Sequence, residues 1–290
     1  MSAGLRIGTF LGALALVFGG AALAGGAIDP RGENPVAAAG HGDRGGHASG
    51  EPEESHGGGG NTPRVRGLAV ADGGLRLSVV DPDLRRGSPE RLRFRILDED
   101  GRTLRDFDVS HEKRMHLIVA RRDLTGFQHL HPEQAADGTW STRLRVAEAG
   151  SYRLFADFSH EGTPRTLATD LRVDGRADLR PLPAPRQTAV SEGGYDVRLE
   201  AGSANAGEEV DLRFVISRAG VPVHTEPYLG AGGHLVALRE GDLAFLHVHP
   251  TDDGVSFAAT FPTAGRYRLF LQFKHEGRVQ TVAFTHEVPR

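Results

Sequence analysis

The chain has 290 residues, with 34 Lys plus Arg against 38 Asp plus Glu, and no cysteine. That length has room for about two domains. The near-neutral charge excludes the basic stripe of a nucleic-acid binder, and the lack of cysteine excludes disulfide, zinc–thiolate and thiol chemistry.

Residues 1–28 read as a targeting segment. Arg6 precedes an uncharged run from Ile7 to Ile28, rich in Ala, Leu and Gly. The run is long enough to span a bilayer, and Ala22-Leu23-Ala24 before Gly25 also offers a signal-peptidase cut. A membrane anchor or a cleaved signal peptide both fit. In either case Arg6 stays on the cytoplasmic side and sends the rest outward. The expected location is the cell membrane with extracytoplasmic domains, or secretion if the leader is cleaved. Residues 29–62 follow as a disordered tether of Gly, Pro, Glu and Ser, with too few apolar residues to offset ordering entropy. It carries His41, His47 and His56.

Residues 63–175 and 191–290 read as two all-β units. Short alternating runs such as Arg91–Leu97 and Tyr152–Phe158 are punctuated by turn signals at Asp100-Gly101, Asp137-Gly138 and Ala149-Gly150. Short strands at such spacing predict antiparallel β-sandwiches of immunoglobulin-like or cupredoxin-like type. Pro181, Pro183 and Pro185 mark residues 176–190 as an extended, semi-rigid linker. The units are repeats, because Ala149-Gly150-Ser151-Tyr152-Arg153-Leu154-Phe155 matches Ala264-Gly265-Arg266-Tyr267-Arg268-Leu269-Phe270. A period above about one hundred residues means tandem domains rather than a solenoid.

Each unit carries a histidine hairpin. In the first, His116 is followed by His129 and His131; in the second, His234 is followed by His247 and His249 at the same spacing. Strand side chains alternate faces, so His129 and His131 point the same way. Symmetry about Asp123-Leu124 sets His131 across from His116 and His129 across from Ile118. Symmetry about Gly241-Asp242 sets His249 across from His234, and Gly-Asp suits a tight two-residue loop. Each hairpin is thus expected to present three imidazoles on one face, converging within about 4 Å if they hold one ion. His160 and His275, each followed by Glu-Gly, are candidates for a fourth ligand, with Glu161 and Glu276 as outer partners. His111, His224 and His286 have no clear counterparts in the repeat and read as ordinary, mostly exposed residues, although His111 and His224 lie upstream of their hairpins, where they could approach a site.

An all-nitrogen donor set favours Cu(II) first and zinc second. Met115 is adjacent to His116, hence on the opposite face, and Gly233 takes its place in the second unit. That disfavours Cu(I).

Met115-His116-Leu117, Phe127-Gln128-His129-Leu130-His131-Pro132 and Tyr228–Leu235 resemble a group of bacterial, largely actinobacterial, secreted or membrane-anchored heavy-metal-associated proteins. More distantly the chain resembles YtkA-like and copper-handling periplasmic β-sandwich domains. The resemblance implies the same β-sandwich fold and extracytoplasmic placement. The expected function is non-enzymatic: copper(II) or zinc binding for buffering, resistance or delivery, with one site per unit. The metal ion and, through the leader, the cytoplasmic membrane are the expected partners. The alternative is a structural or adhesion sandwich that binds a cell-envelope or protein partner and uses its histidines only as structural clusters.

Overall fold

The computed structural model describes residues 65–246, 248–251 and 254–290. The leader and tether expected over residues 1–62, with His41, His47 and His56, lie outside the described residues, as does His247. Among the described residues no helix is long and apolar enough to cross a membrane.

The first unit contains β1 (Ala71–Asp72), β2 (Leu75–Val79), β3 (Asp83–Leu84), β4 (Pro89–Leu97), β5 (His116–Arg121), β6 (Gln128–Leu130), β7 (Glu133–Gln134), β8 (Trp140–Arg145), β9 (Gly150–His160) and β10 (Thr163–Val173). They form two sheets, ordered β1-β2-β4-β8-β7 and β3-β10-β9-β5-β6. Alternation makes the core: Leu77, Phe94 and Trp140 from the first sheet meet Leu117, Leu154 and Leu167 from the second. The short β3–β10 pair is parallel and the others are antiparallel.

The second unit contains β11 (Thr188–Val190), β12 (Tyr195–Ala201), β13 (Glu209–Arg218), β14 (Val221–Pro222), β15 (His234–Arg239), β16 (Phe245–Leu246), β17 (His249–Pro250), β18 (Ser256–Thr260), β19 (Gly265–His275) and β20 (Arg278–Val288). Its sheets run β11-β12-β13-β18-β17, with β14 beside β13, and β16-β15-β19-β20. The described residues are therefore all-β, two tandem sandwiches, as the alternation predicts. The linker is shorter than residues 176–190, because Thr188–Val190 already pairs with β12.

The β5 strand is buried along its whole length, His116 to Arg121. One of its faces lies on its own core. The other meets the second sandwich, where Ile118, Ala120, Leu124, Phe155 and Ala168 pack with Val236, Leu238, Leu243, Phe245 and Phe270. Two ring pairs anchor this contact. Phe127 stacks on Phe270 with centroids 4.0 Å apart, and Phe155 meets Phe245 at 5.5 Å. Phe127 and Phe245 hold equivalent places in the two hairpins, and Phe155 and Phe270 in the two following strands. The contact is thus nearly isologous, like a twofold dimer interface within one chain.

The linker is fastened to the same region. Arg121 is 1% exposed. It is paired to Asp123 at 2.6 Å and Glu148 at 2.7 Å, and its Nη2 donates to the Asp178 carbonyl at 3.1 Å. The Arg180 backbone N–H donates to Asp123 at 2.9 Å, and Leu182 packs on the shared apolar cluster. At the entry to the first unit, Arg66 bridges to Phe245 of the second.

Candidate metal centre

The first hairpin has the register that turn symmetry requires. Ile118 opposes His129 and Leu117 opposes Leu130, which carries His131 to the place opposite His116. The side chains on this face share the parity of Ile118 and Phe155, so they point at the second sandwich and away from their own core. His116 is 3% exposed, while His129 and His131 are partly buried. Their ring nitrogens lie within 4.8 Å of one another. The His116–His129 pair meets the distance expected of shared ligands, with Nδ1 and Nε2 at 3.0 Å. The full set is wider than the roughly 3.3 Å edge of a tetrahedron built on bonds near 2 Å, so closing it takes a small ring rotation.

A fourth imidazole comes from the other sandwich. His234 stacks on His116 with centroids 5.5 Å apart and planes 8° from parallel, and lies 4.7 Å from His129. His111 adds a fifth ring, 6.2 Å from His116 and 6.0 Å from His234. The sequence places His111 upstream of its hairpin and His234 in the second one, but that the two meet the first triad depends on a sheet-on-sheet contact and a turn with no local sequence signal.

The second hairpin departs from expectation. The Ala237–Leu246 and Leu238–Phe245 pairs keep the predicted frame, but its loop spans residues 240–243 rather than two residues. Pairing then stops at Leu246. The chain crosses to the other sheet, with Val248 buried in the core and His249 exposed and opposite Ala258. His249 therefore does not oppose His234, and His234 joins the first cluster instead.

His160 and His275 sit on the wrong face for this cluster. His160 shares parity with Leu154, Ala156 and Phe158 of the first core, and its Nδ1 donates to the Asp106 carbonyl at 3.0 Å. His275 shares parity with Leu271 and Phe273, and its Nδ1 is 2.8 Å from the Tyr195 hydroxyl. Glu276 pairs with Arg218 at 2.9 Å, and Glu161 lies in the turn after β9. Of the remaining histidines, His224 lines a groove with Phe214 and Val255, and His286 packs on the Phe261 ring.

Hydrogen bonds orient the rings. His116 Nε2 donates to the Ser110 carbonyl at 3.1 Å, and His129 Nδ1 donates to Gln272 Oε1 at 2.7 Å. Gln272 Nε2 in turn donates to Thr281 Oγ1 at 3.1 Å. Gln272 stands opposite His234 in the β15–β19 pair. The equivalent place opposite His116 is Asp157, which accepts from the Thr166 hydroxyl at 2.6 Å.

Electrostatics keep these imidazoles neutral. Burial lowers the His129 pKa from its ordinary value to about 3, helped by His116 and His131 and opposed by the Gln272 bond. Burial, then the proximity of His116 and of the Lys113 charge, lowers His131 to about 4. His116 and His234 are lowered by burial as well. Burial raises the Asp157 pKa, against the Thr166 hydrogen bond and the attraction of His116. Neutral imidazoles are the form that ligates metals.

Among solved structures, the Escherichia coli adhesin FdeC superposes with a TM-score of 0.27 at 14% identity, over 77% of this chain and 66% of the adhesin. Escherichia coli alpha-2-macroglobulin activated by porcine elastase gives 0.27 at 18% identity, over 74% of this chain and 20% of that one. A chimeric titin Z1Z2 tandem gives 0.20 at 14% identity, over 74% of this chain and all of the titin chain. No curated protein matches the sequence. A family model described as a domain of unknown function, DUF8832, matches twice, at residues 69–175 and 188–290. These two matches cover most of the chain, and the protein belongs to the DUF8832 family as a tandem of two such domains.

Proposed function

We propose that this protein binds a metal ion at the contact between its two sandwiches, through His116, His129 and His131 with His234 alongside. One observation carries the reading. A carbonyl only accepts, so Ser110 requires the proton of His116 on Nε2. Gln272 Oε1 likewise requires the proton of His129 on Nδ1. The neutral rings then aim two bare lone pairs, His116 Nδ1 and His129 Nε2, at each other across 3.0 Å. His131 Nε2 is buried beside them with no hydrogen-bond partner among the described residues. Facing acceptors without a donor are costly, and a cation is what resolves them. The carbonyl and amide oxygens behind His116 and His129 are the outer partners that ligating imidazoles use. The donor set suits Cu(II) first and zinc second. Buffering, resistance or delivery outside the cytoplasm is the role that fits it.

Calorimetric titration of the chain with Cu(II) and with Zn(II) tests this. The expected result is one ion per chain, not the two that separate hairpin sites require. Replacing His131 by Ala weakens binding by at least about tenfold, the size of a lost ligand or outer partner. Absence of binding at micromolar ion refutes it.

A second reading rests on the same bonds. If the Gln272 amide is turned round, its N–H donates to His129 Nδ1, His129 Nε2–H donates to His116 Nδ1, and the chain of bonds closes without an ion. The cluster is then a structural element of a sandwich protein that binds an envelope partner. Nitrogen-15 shifts of the imidazoles separate the two: this reading puts the His129 proton on Nε2, the metal reading puts it on Nδ1.

A further inference from the structure

The turn before β5 is built at a disadvantage. Ser110 and Lys113 exchange backbone hydrogen bonds at 2.8 and 3.0 Å, closing a two-residue turn. Its central residues, His111 and Glu112, both lie in the left-handed region, at φ 47° and 63°. Such turns ordinarily carry Asn-Gly or Asp-Gly, because side chains with a Cβ are strained there. The second sandwich has the same turn in the equivalent place. Tyr228 and Ala231 close it, with Leu229 at φ 55° and Gly230 at φ 80°. There a glycine relieves one of the two positions, and Leu229 is buried at 4% exposure.

The first sandwich thus keeps the geometry while replacing Leu by His and Gly by Glu. The His111 ring is brought over the cluster, near both His116 and His234. Unlike Leu229, His111 is only partly buried, and Glu112 and Lys113 beside it are exposed. The turn's ends, Ser110 and Lys113, line a cleft of about 370 Å³ together with His116 and Asp157. A strained, polar turn thus stands beside the inner cluster, at the place where its counterpart in the second sandwich is apolar. Strain retained in this way marks a functional position.

We infer that His111 is the exchange ligand of the metal site, the group that takes an incoming ion at the surface and hands an outgoing one to an acceptor. This rests on the metal reading above and deepens it, since it makes the site one for delivery rather than storage. An ion bound by His116, His129 and His131 leaves by trading one of these ligands for His111, and then His111 for a ligand of the acceptor. No charge or electron is transferred beyond the ion itself. His111 lowers the barrier in both directions, so it sets rates and leaves the equilibrium nearly untouched.

The test uses the full chain loaded with one equivalent of Zn(II) and mixed rapidly with excess 4-(2-pyridylazo)resorcinol. In the unaltered protein the transfer rate rises with chelator concentration. The double change His111→Leu with Glu112→Gly restores the residues that the second sandwich uses at this turn, so folding is preserved. It is expected to leave the dissociation constant within about threefold, yet to slow transfer at least about tenfold and make it independent of chelator. His111→Asn, which suits the left-handed backbone, gives the same result. Unchanged transfer rates overturn the inference. So does a loss of affinity as large as that of His131→Ala, which would make His111 an inner ligand. Failure of the unaltered chain to take up Zn(II) or Cu(II) instead refutes the metal reading itself.

Discussion

Acid should unfold the ion-free protein through its histidine cluster. His129 and His131 have folded pKa values of about 3 and about 4, against about 6.5 for an unfolded histidine. The unfolded chain therefore takes up their protons first. The stability tied to them is fully present above about pH 6.5 and is lost as pH falls toward the folded values. Between pH 7 and pH 5 the linkage relation gives about 1.9 kcal/mol for each, or about 4 kcal/mol together. Both rings keep some solvent contact, which brings the expected loss to about 2–4 kcal/mol. His116 and His234 shift in the same direction and add to it. Asp157 opposes them: its raised folded pKa favours the native state at low pH, so Asp157→Asn should steepen the dependence. Asp123, held at about 2 chiefly by the Arg121 hydrogen bond against the cost of its burial, titrates below this window. The assay is guanidinium unfolding in chelator at pH 7, 6 and 5, followed by fluorescence of the buried Trp140. A native domain is stable by only about 5–15 kcal/mol, so the shift in midpoint is easily measured. Equal midpoints at pH 7 and 5, or an undiminished pH dependence in a His129→Asn, His131→Asn protein, refute the reasoning.

Three further outcomes follow from the packing. Gly67 has φ +71°, and a Cβ there would sit 2.8 Å from the Phe245 Cβ and 2.9 Å from the Phe155 ring; Gly67→Ala should cost about 1–3 kcal/mol in thermal unfolding. Phe127→Ala removes the ring stacked 4.0 Å on Phe270 and should cost about 3 kcal/mol, splitting one unfolding transition into two as the sandwiches uncouple; a single transition of unchanged midpoint contradicts this. Arg121→Met takes the guanidinium away from the Asp123 carboxylate, 4% exposed, and leaves it only the Thr125 and Arg180 hydrogen bonds. It should cost about 3–5 kcal/mol at pH 7 and expose the linker near Arg180 to trypsin.

The strands and the first hairpin were legible because period-two alternation and turn symmetry are local. The opposition of Ile118 and His129 follows from counting outward from Asp123-Leu124. Which face was the core was not legible. Met115-His116-Leu117-Ile118-Val119-Ala120 is apolar on both sides, as a strand enclosed by two sandwiches must be. The second hairpin keeps its frame only as far as Leu246, and two residues on Val248 is buried in the core while His249 pairs with the opposite sheet. His160 and His275 were misplaced for a related reason. Their parity with the core residues of β9 and β19 was visible, but the ligand face proved to be the other one. His111 carries no Asn-Gly signal to announce its turn, and His234 enters the cluster only through contact between the sandwiches.

The doubly buried β5 strand also has a consequence for synthesis. The first sandwich is complete at Val173, but Phe270, which covers Phe127, lies about a hundred residues later. At about 5–20 residues per second, the outer face of its sheet stays bare for roughly ten seconds while the rest of the chain emerges. During that interval Ile118, Phe127 and Phe155 form an adhesive patch on an otherwise finished domain. Ribosome-paced delivery of the second half therefore decides whether this patch meets its own partner or that of a neighbouring chain.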